Sequence, residues 1–166
     1  MSYSRYWRIG LIVLVVGLLA FGTNIVGLGG GEGQKCEGAW AAHIEGQPRY
    51  TARGNWATYV NYKDDENKDF GPVNIAFFFA GQKDWMGMVL FNDIVDDQVQ
   101  LTIGLCPYWE WCSGTNLYVQ GYDSPPSGNP APGRFEHKFE APIGQMKEIV
   151  VPFAKYYGIH LNVYKK

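Results

Sequence analysis

Hydrophobic and polar positions divide this chain into two unlike parts. From Ile9 to Leu28 the run IGLIVLVVGLLAFGTNIVGL carries no charge, and only Thr23 and Asn24 are clearly polar. A helix rises about 1.5 Å per residue, so this run reaches roughly 30 Å, the hydrocarbon thickness of a bilayer. Past Cys36 the pattern shortens to period two. Val99, Leu101, Ile103 and Leu105 alternate with Gln98, Gln100, Thr102 and Gly104, which predicts a half-buried strand. Ile159–Tyr164 and Arg134–Phe139 alternate in the same way. Val73–Phe79 and Trp85–Phe91 are nearly continuous apolar runs joined by Ala80–Asp84, which predicts a central hairpin buried on both faces. Ala39–Glu45, Tyr50–Tyr62 (broken near Gly54), Asn116–Tyr122 and Lys147–Phe153 are further predicted strands. A short helical turn is expected at Phe153–Tyr157, and the Pro-rich stretch Asp123–Gly133 is expected to be an exposed connector.

These elements predict an all-β ectodomain preceded by a single N-terminal transmembrane helix. The expected architecture is an antiparallel β-sandwich of jelly-roll or immunoglobulin-like topology. The expected divisions are a tail over 1–8, a span over 9–28, a Gly-rich linker over 29–36 and an exported domain over 37–166.

Composition refines this picture. Aromatic content is 16%, with eleven Tyr and six Trp, a bias toward pleated, half-buried surfaces. Tyr3, Tyr6 and Trp7 precede the apolar run, with Arg5 and Arg8 among them, as in a segment seated at the head-group layer of a lipid bilayer. The basic residues on that side place the N-terminus in the cytoplasm and the domain in a periplasmic or extracellular space. A cleaved signal peptide is the competing reading, with Ala20-Phe21-Gly22 as its cleavage site. Apolar residues continue through Ile25, Val26 and Leu28, which favours the anchor. The formal net charge of −2 gives no basic footprint for nucleic acid. Past Cys36 the chain holds eleven basic and fifteen acidic residues, and a mildly acidic domain is weakly repelled by anionic head groups.

Candidate chemistry is sparse. Cys106 and Cys112 flank Pro107-Tyr108-Trp109-Glu110-Trp111, and in an oxidising compartment they are expected to close a small disulfide loop, leaving Cys36 over. That loop concentrates aromatic rings, so Pro107, Tyr108, Trp109 and Trp111 are the candidate partner-binding residues. Asp64, Asp65 and Asp69 are weak calcium candidates, as is the second acidic group Asp93, Asp96 and Asp97. His43, His137 and His160 read as ordinary strand residues, and no cofactor is expected. The sequence lacks the motifs of a serine hydrolase elbow, a zinc protease helix or a phosphate loop. The expected function is a non-catalytic accessory or assembly subunit of an integral membrane protein complex, photosynthetic or respiratory among the plausible hosts. A surface adhesin or filament subunit and a membrane-anchored carbohydrate-binding module are the alternatives. Protease added outside intact cells or spheroplasts is expected to remove the domain; protection until lysis would refute the orientation.

Overall fold

A computed structural model describes residues 35–43, 48–62, 74–81, 83–142 and 144–166. The chain divides into two units, Met1–Gly33 and Gln34–Lys166, and the second holds all the described residues. The expected span over 9–28 and its flanking residues Tyr3, Arg5, Tyr6, Trp7 and Arg8 lie outside the described residues. Among the described residues, no helix is long and apolar enough to cross a membrane.

The second unit is all-β and antiparallel. Its strands are β1 (Glu37–Ala42), β2 (Val60–Asn61), β3 (Asn74–Ala80), β4 (Asp84–Val95), β5 (Gln98–Leu105), β6 (Trp109–Trp111), β7 (Leu117–Tyr122), β8 (His137–Phe139), β9 (Met146–Pro152) and β10 (Tyr156–Lys165). All ten join one nearly closed, barrel-like sheet in the order β8-β7-β10-β1-β3-β4-β5-β9, with β2 and β6 also on β10. The layered packing expected of a sandwich therefore comes from one rolled sheet. Strand β10 uses both edges. Tyr156–Leu161 pairs β7 and Val163–Lys165 pairs β6 on one side. The other side pairs β2 through Tyr156–Tyr157 and β1 through His160–Val163. β6 and β7 thus run along β10 as one strand interrupted at Cys112–Asn116.

Period two decides what lies inside. Ala76, Phe78 and Ala80 of β3, Val99, Leu101, Ile103 and Leu105 of β5, and Ile159, Leu161 and Val163 of β10 all enter one core. Each large aliphatic or aromatic side chain buried this way stabilises the fold by about 1.5–3 kcal/mol. The β3–β4 hairpin differs from expectation. Its inner face is buried, while Phe77, Phe79, Met88 and Leu90 on the outer face are only partly so. The runs are apolar on both faces because the outer side keeps an apolar surface of its own. Other differences are local. Tyr50–Tyr62 is mostly irregular, with one Arg49–Thr58 bridge before β2. The expected helical turn at Phe153–Tyr157 is instead a tight connection. There Tyr157 Oη accepts from Ala154 N–H (2.7 Å) and donates to the Pro152 carbonyl (3.0 Å). The single-turn 3-10 helix falls at Pro132–Arg134, where proline presets the backbone. Asp96 and Asp97 link β4 to β5 with φ of 51° and 57°, as a two-residue hairpin turn that retains the strand twist requires.

A second, aromatic cluster covers the outer face of β1, β10 and β7. Trp40, Tyr50, Ala57 and Phe135 are buried there, with Trp56, Tyr59, Tyr118 and Tyr122 packed against them. The Trp40 ring lies edge-on to Tyr50 (5.8 Å), Phe135 (6.1 Å) and His160 (4.8 Å). The arrangement needs glycine beneath it. A Cβ on Gly158 would overlap the Tyr50 hydroxyl, and one on Gly38 would sit 2.7 Å from His160 Nε2. Gly158→Ala is expected to cost about 2 kcal/mol by overpacking. In a Tyr50→Phe background, which removes the overlapped oxygen, the cost is expected to fall by at least about 1 kcal/mol. Thermal melts of the four-member cycle measure both; equal costs in the two backgrounds would refute this packing.

Candidate interaction surface

The register sorts the loops onto two ends. One end, here called proximal, gathers Cys36, the β3–β4 turn, Cys106–Tyr108, the start of β9 and Lys165–Lys166. The distal end gathers Tyr62, the start of β3, the Asp96–Asp97 turn, Tyr122–Asp123 and Phe153–Lys155.

The cysteines at the proximal end correct the expected pairing. Cys36 bonds Cys112, with Cα atoms 6.2 Å apart, and Cys106 is free. The cause is β6. Trp109–Trp111 is extended, and three extended residues cover about 10 Å. Cys106 N–H bonds the Met86 carbonyl at the end of β5, while Cys112 N–H bonds the Asn162 carbonyl on β10. Cys106 is thus held beside β4 and Cys112 beside β10, within disulfide reach of Cys36. Cys36 precedes β1 on the other edge of β10, so the bridge straps across that strand. Burial raises the pKa of the Cys106 thiol above its ordinary value.

The candidate partner residues separate in the same way. Trp109 and Trp111 point inward and are buried, so neither ring is open to a partner. Pro107 is exposed and Tyr108 is 73% exposed. Glu110, between the two tryptophans, faces the other way. Its Oε2 pairs Lys166 Nζ (2.7 Å) and its Oε1 accepts from Gly144 N–H (3.2 Å). Asn116 is fully buried and ties the neighbouring segments together. Its Nδ2 donates to the Cys112 carbonyl (2.7 Å) and the Ala141 carbonyl (3.1 Å), and its Oδ1 accepts from Ala141 N–H (2.8 Å).

Sequence reasoning passed over the outer surface beside this end. Phe79 pairs Trp85, and a bulge at Met86 resets the register. Met88 of β4, Gly104 of β5 and Met146 of β9 then stand in one row across three strands. Trp85 is 49% exposed and Met146 is 40% exposed. A Cβ built on Gly104 meets nothing within 4 Å, so the row has a notch between its methionines. Alternation of Gly104 with Ile103 and Leu105 was legible; what flanks it across the sheet was not.

Asp64, Asp65 and Asp69 lie outside the described residues. Among the described residues, no group of three or more His, Cys, Asp and Glu side chains gathers. Asp96 and Asp97 serve as turn residues. His160 is set among the outer aromatic rings, where burial lowers its pKa to about 4, so it is neutral near pH 7. His43 Nε2 accepts from Asn61 N–H (2.9 Å). A shallow distal groove of about 230 Å³ lies among Tyr122, Asp123, Glu136, His137 and Phe153.

No protein-family model, curated protein or solved structure matches this chain. In the oxidised protein, peptide mapping without reduction is expected to find Cys36 joined to Cys112 and Cys106 as a free thiol. A Cys106–Cys112 peptide would overturn the pairing. The bridge spans 76 residues of chain, and its removal in Cys36→Ser is expected to cost about 4 kcal/mol through lost loop closure.

Proposed function

We propose that this chain is a membrane-anchored, non-catalytic accessory subunit of a larger integral membrane protein complex. Ile9–Leu28 is its single-pass anchor, its N-terminus is cytoplasmic, and its rolled-sheet domain stands in the periplasmic or extracellular space. The observation that carries the reading is the outer row Met88, Gly104 and Met146, with Trp85 exposed on the same face of β4. Exposed large apolar side chains are unfavourable in water, and aromatic anchors dominate the energy of protein interfaces. Methionine adapts its shape to a partner, and the Gly104 notch gives a side chain of that partner a place to insert. The row lies toward the end where the linker joins β1, so the partner surface it fits belongs to a protein held in the same membrane. Tethering both proteins to one bilayer raises their effective concentration, so a modest patch suffices.

Gly104→Lys tests this. The Cβ position is open, so the variant is expected to stay folded, with stability within about 0.5 kcal/mol of the parent. Its charged stem fills the notch. Purification in mild detergent is expected to recover a stoichiometric membrane partner with the parent chain and roughly tenfold less with the variant. Equal recovery would remove this face from the interface. Recovery of self-polymers would favour the filament reading, and retention on glycans the carbohydrate-binding one.

A further inference from the structure

The outer face of β4, β5 and β9 is nearly free of charge. Alternation sends Met88, Leu90 and Asn92 of β4 outward, with Gln100, Thr102 and Gly104 of β5 and Met146, Glu148 and Val150 of β9. Glu148 is the one charged side chain among them. Register places Leu90, Thr102 and Glu148 in one row, directly beside the row of Met88, Gly104 and Met146. Along β9, Glu148 lies between Met146 and Val150, which are 40% and 53% exposed. It is itself exposed and makes no ion pair with a described residue. Lys147 has the inward parity of Ile149 and Val151, and Lys83 lies in the β3–β4 turn next to Asp84.

We propose that the protein covering this face presents a lysine or arginine to Glu148, and that this ion pair selects the partner and fixes its register. The inference rests on the subunit reading above and names the chemistry of the partner surface. Successive outward residues of a strand stand roughly 7 Å apart, so a surface that covers Met146 and Val150 closes over Glu148 as well. A carboxylate withdrawn from water is strongly unfavourable unless a cation and hydrogen-bond donors replace that water. A purely apolar patch therefore fits this face poorly, whereas an apolar patch bearing one cation fits it. The same requirement argues against a second copy of the chain as the occupant. Two copies stacked face to face would each bring a carboxylate, and none of the outward residues of β4, β5 and β9 is a lysine or arginine that could receive it. A lone charge within an apolar surface contributes more to selection than to affinity, because wrong partners leave it unpaired.

The full-length chain in mild detergent tests this, with the membrane protein that the parent chain recovers in stoichiometric amount as the probe. Glu148→Gln keeps the size of the side chain and is expected to weaken binding roughly tenfold or more, and Glu148→Arg roughly a hundredfold or more. Both change an exposed position, so both variants are expected to melt within about 2 °C of the parent. Lysines and arginines on the covered surface of the partner are then reversed to glutamate one at a time. One such reversal is expected to bring binding of the Glu148→Arg chain back to within about tenfold of the parent pair. Binding indifferent to both changes at Glu148 overturns the inference and leaves the subunit reading standing, as does a loss that no single reversal repairs. Recovery of a second copy in place of a different protein overturns it as well. A parent chain that recovers no partner refutes the subunit reading and this inference together.

Discussion

Strand β10 is the constraint on which the rest of this domain depends. It is hydrogen-bonded along both edges, to β7 and β6 on one side and to β2 and β1 on the other. A strand so placed cannot slip by one residue without turning Ile159, Leu161 and Val163 out of the core and His160 into it. Fixing β10 therefore fixes the register of both halves of the roll. The Cys36–Cys112 bridge reinforces the same point, because it joins the segments flanking β10 at its C-terminal end.

The two outer faces of the sheet are finished differently. Over β1, β10 and β7, the loop around Tyr50 and the turn before Phe135 fold back, and glycines let the rings lie close to the backbone. Tyr50 donates to Tyr122 across that pad (3.2 Å), and burial raises the Tyr50 hydroxyl pKa well above the ordinary tyrosine range. Over β4, β5 and β9, Trp85, Met146 and Val150 are exposed. A sheet with apolar side chains on both sides has to cover both. This one covers its first outer face with its own loops and leaves large apolar side chains exposed on the second.

The edge strands show how such a surface avoids indiscriminate pairing. β8 is only three residues long, and β9 carries Lys147 and Glu148 and ends in Pro152. Short, charged or proline-bearing edges discourage strand addition. Strand addition through the backbone is thereby disfavoured at both edges.

Much of this was legible in the sequence, because period-two alternation reports burial directly. Gln98–Leu105 forms β5 as read, and the hairpin from Asn74 to Phe91 falls where its apolar runs placed it. The apolar run at Ile9–Leu28 and the sorting of side chains within each strand are likewise matters of local order. What local order does not contain is which strand lies beside which. The expected Cys106–Cys112 bridge failed for that reason: proximity in sequence favoured it, but pairing of Trp109–Trp111 with Val163–Lys165 stretched the intervening chain straight and brought the N-terminal cysteine across β10. The same pairing buried Trp109 and Trp111 and left Tyr108 outside. Their Trp-Glu-Trp alternation was a strand signal too short to outweigh the proline beside it. The Met88–Gly104–Met146 row and the Cys36–Cys112 bridge are also products of register. They join residues far apart along the chain, and only hydrogen bonding across strands puts them side by side.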